Sequence, residues 1–383
     1  MRNVHYVQYT NAAGYPPLLN GVRLLANQGW HVEVMGAEVD DAEGLRFPED
    51  LPARVQAMPR ARTGWGRRVH FARFTGWVVG SSVRRRPQWV YASDPLSAPA
   101  ALLLKRLGLA RVVYHEHDAP PTHGESSPWM RRVLAARAEL ARRADLCVLP
   151  QAERAEAFVA ATGRKGPTLT VWNCPSLNEA AASARPPGPP FVLYYHGSLN
   201  EQRLPFTLLH ALARLPETVR LRVAGYETAG SRGFIERFLV EARACGVAER
   251  VKVLGTLPDR EDLWRAISDA HIGLALMPMA SDDPNMRWMA GASNKPFDYL
   301  SQGLAVLVSD LPDWRSLYVE PGYGHACDPR DPESIAVALR QLLASPERLR
   351  AMGEAGRRRI LSDWNYERQF EPVLAALNRE REE

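Results

Sequence analysis

The sequence predicts an α/β protein built from two tandem open parallel sheets, and three observations carry that prediction. Short apolar runs alternate with amphipathic helical patterns along most of the 383 residues. A proline-rich polar stretch, LNEAAASARPPGPP at 177–190, interrupts the alternation near mid-chain, and the alternation then restarts. The length itself exceeds what one core usually serves, so two domains of roughly 150 to 200 residues are expected.

Taken in order, the strand candidates of the first half are VHYVQY (4–9), HVEVMGA (31–37), WVYAS (89–93), RVVYHEH (111–117), DLCVLP (145–150) and TLTVW (168–172). Amphipathic segments such as PPLLNGVRLLANQG (16–29) and PWMRRVLAARAELARRA (128–144) lie between them. Apolar strands separated by helices imply a parallel sheet covered on both faces. Residues 1–176 form the first domain and 177–190 a linker. The second domain opens with FVLYYHG (191–197) and continues through VRLRVAG (219–225), VKVLG (251–255), IGLALMP (272–278) and LAVLVSD (304–310). In such folds ligands bind beyond the carboxyl ends of the strands, and two facing domains make a cleft.

Composition narrows the function classes. With 46% hydrophobic and 24% charged residues, the chain has the make-up of an ordinary soluble protein. Its longest apolar stretches, such as APAALLL and HIGLALMP, fall far short of the roughly 18 residues that cross a bilayer. The N-terminus MRNVHYVQY reads as a strand and not a signal peptide, so a cytoplasmic location is expected. Cys147, Cys174, Cys245 and Cys327 show no CxxC spacing, which argues against a disulfide framework or a zinc site.

The net charge of +5 comes mostly from dispersed arginine, and no zinc-finger or RNP signature accompanies it, so nucleic acid is not an expected partner. The stretch Arg60 to Pro87 is denser. It carries Arg60, Arg62, Arg67, Arg68, Arg73, Arg84, Arg85 and Arg86 with Trp65, Phe71, Phe74 and Trp77. Such a segment either lies on an anionic membrane surface or packs its aromatics on the sheet.

Candidate site residues fall at strand ends. YTNAAGYPP offers one glycine, Gly14, where a dinucleotide fold would carry GxGxxG; either a ligand's close approach or a plain tight turn accounts for it. In YYHGSLNEQRLP, Gly197 ends a strand and Arg203 stands six residues later, near the next helix. That arrangement offers a phosphate backbone N–H groups and a guanidinium fork. SNKPFDYLSQG adds Lys295 as a second cation and Asp298 as a carboxylate for a ribose hydroxyl pair. Two cations and one acid suit a nucleotide diphosphate sugar; surface charges and an ordinary helix acid are the plain alternative.

On these motifs the chain resembles the family 4 glycosyltransferases, whose GT-B fold has two Rossmann-like domains with parallel sheets facing a central cleft. HGSLNEQR resembles the family's G-R-L-x-x-x-K phosphate loop, with Ser198 in place of its arginine and Arg203 in place of its lysine. VRLRVAGYE is similar to the strand and glycine turn, here Gly225, beneath the nucleotide. NKPFDYLSQGLAVLVSDLP resembles the subgroup pattern N-K-x-x-E-Y-x-x-x-G-x-P-V, which adds Asn294. VVYHEHDAP resembles a strand whose histidine faces the cleft, which gives His117 that role. WNYERQFEPVLAAL is similar to the family's last helix, so the second domain is taken as 191–364 and residues 365–383 as a helix crossing back to the first domain.

The resemblance implies a retaining transferase that moves a sugar from a nucleotide diphosphate sugar, UDP-sugar favoured, to a glycan, lipid-linked or small-molecule acceptor in bacterial polysaccharide or glycoconjugate assembly. Arg203 and Lys295 would act as electrophilic stabilisers, with no cofactor and no metal: the SDDP run at 281–284 is a loop and not a DxD motif. The family's paired glutamates fall at Ala290 and Asp298, so the first acid is missing. A noncatalytic nucleotide-sugar-binding protein, or another enzyme on the same tandem fold, is the competing expectation.

Overall fold

The parallel strands assemble at the apolar runs named above, and at two further places where no run was legible. The computed structural model describes residues 2–38, 45–59, 65–120, 127–181 and 188–379. Its chain divides into two compact units: Met1–Asn173 with Asp283–Ala292 and Tyr366–Glu383, and Cys174–Asp282 with Ser293–Asn365. The stretch Asp283–Ala292, which the sequence division counted with the second domain, packs with the first.

Unit 1 holds a seven-stranded sheet of β1 (Asn3–Val7), β2 (His31–Ala37), β3 (Arg54–Met58), β4 (Trp89–Ser93), β5 (Arg111–His115), β6 (Leu146–Leu149) and β7 (Thr168–Thr170). The order is β3-β2-β1-β4-β5-β6-β7 and every pairing is parallel. Strand β3 is an addition to the sequence reading. It lies at the sheet's edge with mostly exposed side chains, so it lacks the apolar run by which the buried strands announce themselves.

Apolar side chains cover both faces of this sheet. On one, Val7, Met35 and Val90 pack with Phe71, Phe74 and Val78 of the helix Trp65–Arg85. On the other, Val4, Tyr6, Val32 and Tyr91 pack with Leu18 and Val22 of the helix Pro16–Asn27 and with Tyr366, Phe370, Val373 and Leu377 of the helix Tyr366–Asn378. The apolar positions of that last helix recur at spacings of three and four, which places them on one stripe.

Unit 2 holds six parallel strands: β8 (Phe191–Ser198), β9 (Val219–Tyr226), β10 (Val251–Gly255), β11 (Ile272–Ala275), β12 (Ala305–Ser309) and β13 (Gly324–Cys327), in the order β10-β9-β8-β11-β12-β13. Strand β13, GHAC, is the second addition; four residues with one histidine carry too little pattern to read. In both units the order reverses beside the first strand, between β1 and β4 and between β8 and β11. Such a switch point opens a crevice at the carboxyl ends of the strands.

Among the described residues no helix is long and apolar enough to cross a membrane. The basic stretch 60–87 resolves in part: Arg60 and Arg62 lie outside the described residues, Arg85 pairs with the buried Glu33, and Arg67, Arg68, Arg73, Arg84 and Arg86 are exposed. Phe71 and Phe74 are buried and Trp77 is partly buried against the same core. Phe71 and Phe74 therefore serve the fold, and Trp77 packs on the same core with part of its surface open.

Candidate functional site

At the carboxyl end of β8 the backbone turns through two glycines that face each other. Gly197 pairs with Gly225 of β9, and both adopt positive φ, 115° and 148°. A Cβ on Gly225 would stand 1.8 Å from the Gly197 carbonyl oxygen, so no larger residue fits there. A Cβ on Gly197 would meet Lys295 Cε at 2.9 Å and Nζ at 3.0 Å. Phosphate-sized groups approach such bare backbone closely.

Arg203 sits in the turn after β8, where its backbone N–H donates to Asn200 Oδ1 at 3.1 Å and its Nη1 donates to Ser198 Oγ at 3.2 Å. The helix that follows, Thr207–Ala213, begins four residues later, so Arg203 belongs to the turn and not to the helix start. Lys295 lies in the first turn of the helix Asn294–Ser301, with Nζ 5.6 Å from the centre of the Tyr195 ring. Burial lowers its pKa to about 7, and the nearby positive charge of Arg203 pushes the same way against Asp298. The structure thus gathers Gly197, Ser198, Arg203, Gly225 and Lys295 at one strand end of unit 2.

Asp298 lies on the same helix as Lys295 and is held by protein partners. It is 1% exposed; its Oδ1 accepts from Arg260 Nη2 at 2.8 Å, and its Oδ2 accepts from Asn294 Nδ2 at 3.3 Å and lies 3.2 Å from His196 Nε2. Burial opposes its ionisation, but the charge of Arg260 and the hydrogen bond of His196 hold its pKa below the usual carboxylate value. Its oxygens meet protein partners in this structure: Arg260 on one, Asn294 and His196 on the other. Asn294 is likewise turned inward, onto Asp298.

Arg260, at the start of the helix Arg260–Ile267, pairs with Glu179 as well as Asp298 and lies 4.6 Å over the Trp264 ring. Neither Arg260 nor His196 was singled out from the sequence. His196 had one available signal, a polar residue at the buried end of an apolar strand; Arg260 had none, since its partners stand 81 and 38 residues away.

The remaining candidates lie in unit 1. His117 follows β5, its ring 3.8 Å from that of His115 and 5.6 Å from that of Tyr15. Burial, with the Arg154 charge, lowers its pKa to about 3, so it is neutral. Neither ring nitrogen has a partner among the described residues. Arg154 donates to the His117 carbonyl at 2.9 Å and to the Trp288 carbonyl at 2.8 Å, which ties the 283–292 stretch to this strand end.

Asp94, at the end of β4, was also missed. Its φ of 64° and ψ of 165° lie in a region that glycine alone favours, and its Oδ1 accepts from the backbone N–H groups of His117 and Asp118. Gly14 closes a short turn before the helix Pro16–Asn27, where a Cβ would meet the tip of Leu45 at 2.9 Å; side-chain packing accounts for it. Ala290 is buried in the 283–292 stretch of unit 1.

Of the acids in the SDDP run, Asp283 caps the short helix Pro284–Arg287 by accepting from the Asn285 N–H. Among the described residues, side chains of metal-ligating type come together at His210, Glu241 and Cys245, where His210 Nε2 lies 2.9 Å from Glu241 Oε1. Contacts among the three side chains, with Cys245 Sγ 3.5 Å from His210 Nδ1 and 3.8 Å from Glu241 Oε1, account for that cluster.

Two units of this strand order in tandem, the second with facing glycines and paired cations at its switch point, define a protein of GT-B fold. Residues 178–359 match the family described as Glycosyl transferases group 1, and residues 18–174 match the Glycosyl transferase 4-like domain. The chain belongs to this family of glycosyltransferases. It is 24% identical over 344 residues to glycogen synthase of Mycobacterium tuberculosis, which covers 88% of this chain and 77% of the relative. Its fold is shared with HepE of Anabaena, solved in complex with UDP and glucose, at a TM-score of 0.73 and 16% identity over 98% of this chain and 99% of that one. Sucrose-phosphate synthase of Thermosynechococcus elongatus gives a TM-score of 0.72 at 16% identity, covering 98% of this chain and 100% of its own.

Proposed function

We propose that this glycosyltransferase takes its sugar from a nucleotide diphosphate sugar, with UDP-sugar favoured, and transfers it with retention of configuration to a glycan, lipid-linked or small-molecule acceptor in bacterial polysaccharide or glycoconjugate assembly. The observation that carries the donor reading is the placement of Arg203 and Lys295 around Gly197. Facing glycines admit a diphosphate to the backbone, and two cations answer its charge. UDP in the solved HepE structure supports the choice of base.

In the reaction the bond from the anomeric carbon to the diphosphate oxygen breaks and a bond to the acceptor oxygen forms. The acceptor's proton leaves with the departing diphosphate. Arg203 and Lys295 stabilise the charge that grows on that leaving group, a role that needs no metal ion and is worth roughly 10²-fold or more in rate. His117 and the strand end around Asp94 supply neutral and acidic polar groups for a hydroxyl-bearing partner.

A reversible contact with anionic membrane at the inner face of the cell membrane belongs to the same proposal. Its support is the exposure of Arg67, Arg68, Arg73, Arg84 and Arg86 on and just after one helix, beside the exposed Val69 and Val83.

The test is a screen of nucleotide sugars by thermal shift, because a ligand that binds the native state raises its melting temperature. Release of nucleoside diphosphate is then followed with the best binder and candidate acceptors. A donor that stabilises the protein and is turned over supports the reading; a protein stabilised by no nucleotide sugar overturns it.

A further inference from the structure

We infer that His196 accepts a hydrogen bond from a hydroxyl group of the bound nucleotide sugar, on an imidazole whose orientation Asp298 sets. The inference rests on the donor-site reading above and refines it. It assigns the reading of hydroxyls to a residue that the phosphate-binding motif does not include.

The position of His196 comes first. It stands at the carboxyl end of β8, beside the switch point and one residue before Gly197, whose missing side chain leaves room for Lys295. Its ring packs against two aromatic rings that also touch each other, 5.0 Å from Tyr299 at 79° and 5.8 Å from Tyr194. Its backbone N–H donates to Tyr299 Oη at 3.2 Å. A ring held in this way is a fixed point in the site.

The chemistry follows from which nitrogen carries the proton. Nε2 lies 3.2 Å from Asp298 Oδ2. An ionised carboxylate can only accept, and Arg260 on the other oxygen favours ionisation, so Nε2 carries the hydrogen and Nδ1 keeps its lone pair. That Nδ1 is buried and has no partner among the described residues. His196 as a whole is 5% exposed. Buried acceptors in native proteins are almost always satisfied, and here a bound group can do so.

An unprotonated Nδ1 faces phosphate oxygens acceptor to acceptor, which is repulsive, whereas it pairs with an O–H. The division of labour is therefore chemical: Arg203 and Lys295 take the diphosphate, and His196 takes a hydroxyl of the ribose or of the sugar attached to it. Asp298, with its oxygens turned onto Arg260, Asn294 and His196, acts through His196 as a positioning residue.

The experiment uses the full chain labelled with nitrogen-15 in histidine and follows the His196 Nδ1 resonance, assigned by its loss in His196→Phe. UDP, UDP-glucose and GDP-mannose are titrated. Binding is expected to move the resonance toward the range of a hydrogen-bonded nitrogen. A move with UDP alone assigns the ribose hydroxyl; a move only with a nucleotide sugar assigns the transferred sugar. His196→Phe keeps a ring packed on Tyr194 and Tyr299 and is expected to weaken the ligand at least about tenfold. Asp298→Asn is expected to shift the Nδ1 resonance before any ligand is added, an effect that loss of packing alone does not produce.

Binding to the wild type with an unmoved Nδ1, and His196→Phe affinity within about twofold, overturns the inference and leaves the donor reading standing. Failure of all three compounds to bind the wild type overturns both.

Discussion

Lys295 occupies the space in which a side chain on residue 197 would have to lie: a Cβ at Gly197 would stand 2.9 Å from Lys295 Cε. The glycine and the lysine are one device, since the backbone is bare where the cation needs to be. Gly197→Ala adds a side chain at φ 115°, which costs about 1 to 3 kcal/mol in backbone strain before the clash is counted. We expect a lower melting temperature and at least about 10²-fold lower turnover. In a Lys295→Ala background the same change should destabilise less, because the two residues compete for one volume, and a double-mutant cycle reads that difference.

Lys295 also makes donor binding depend on pH. Burial lowers its pKa to about 7 from the ordinary 10.5, so above pH 7 the free protein holds this amine largely neutral. A bound diphosphate favours the charged form, so binding takes up a proton. Affinity for a nucleotide sugar, whose diphosphate does not titrate near neutrality, should be flat below about pH 7 and fall by up to about tenfold per pH unit above it. Calorimetry in buffers of different ionisation enthalpy measures the proton directly, and Lys295→Met should abolish the slope.

The same residue sets a stability slope. Between pH 7 and 10.5 the unfolded chain holds a proton on Lys295 that the native chain lacks, so stability from this group rises with pH across that window and is least favourable below it. Lys295→Met removes the buried amine. Thermal melts at pH 7 should show the variant at or above the wild-type melting temperature while turnover collapses. A large loss of stability would mean that the amine holds the fold and not the ligand.

Arg203→Ala separates charge from fold in the other direction. The side chain is half-buried in a turn and bonded to Ser198 Oγ, so its loss should leave the melting temperature nearly unchanged. Turnover should fall at least about 10²-fold. Near-normal turnover would remove Arg203 from the proposed phosphate grip.

Arg260 is expected to carry a large share of local stability. Arg260→Met leaves the carboxylates of Asp298 and Glu179 without their shared countercharge in a buried setting, which costs about 3 to 5 kcal/mol. Urea unfolding reads this. Adding Asp298→Asn and Glu179→Gln should recover much of the loss, because the uncompensated charges go with them.

For the membrane contact, co-sedimentation with anionic vesicles at low salt should exceed that with neutral vesicles and weaken as salt is added. Each basic residue near the surface contributes about 1 kcal/mol, so changing Arg67, Arg68, Arg73 and Arg84 to glutamate should abolish it. Equal recovery in the supernatant with both vesicle types would sink this part of the proposal.

Most of the fold was legible because buried parallel strands are apolar along their whole length, as in VVY of β5 or VLV of β12. Strand β3 was not, since an edge strand with Arg54 and Gln56 has only one covered side. Among site residues, Gly197, Arg203 and Lys295 stood in motifs whose spacing is local. The Asp298 carboxylate was placed on the right helix, but its protein partners were not legible. What turns it inward is Arg260, and a contact closed across 38 residues leaves no trace in periodicity.

The stretch Asp283–Ala292 and the helix Tyr366–Asn378 return to unit 1 after excursions through unit 2. Neither unit is therefore a single length of chain, and no one cut separates them. A chimera meant to exchange donor preference with a related enzyme would have to graft 174–282 and 293–365 as two inserts while keeping the recipient's own 283–292 and 366–383. A conventional single-junction swap near residue 174 would instead import a foreign last helix, whose Tyr366, Phe370, Val373 and Leu377 positions must interlock with Val4, Leu18 and Val22 of the recipient. Mismatch there would be read as a folding failure, although the donor site itself had been transplanted intact.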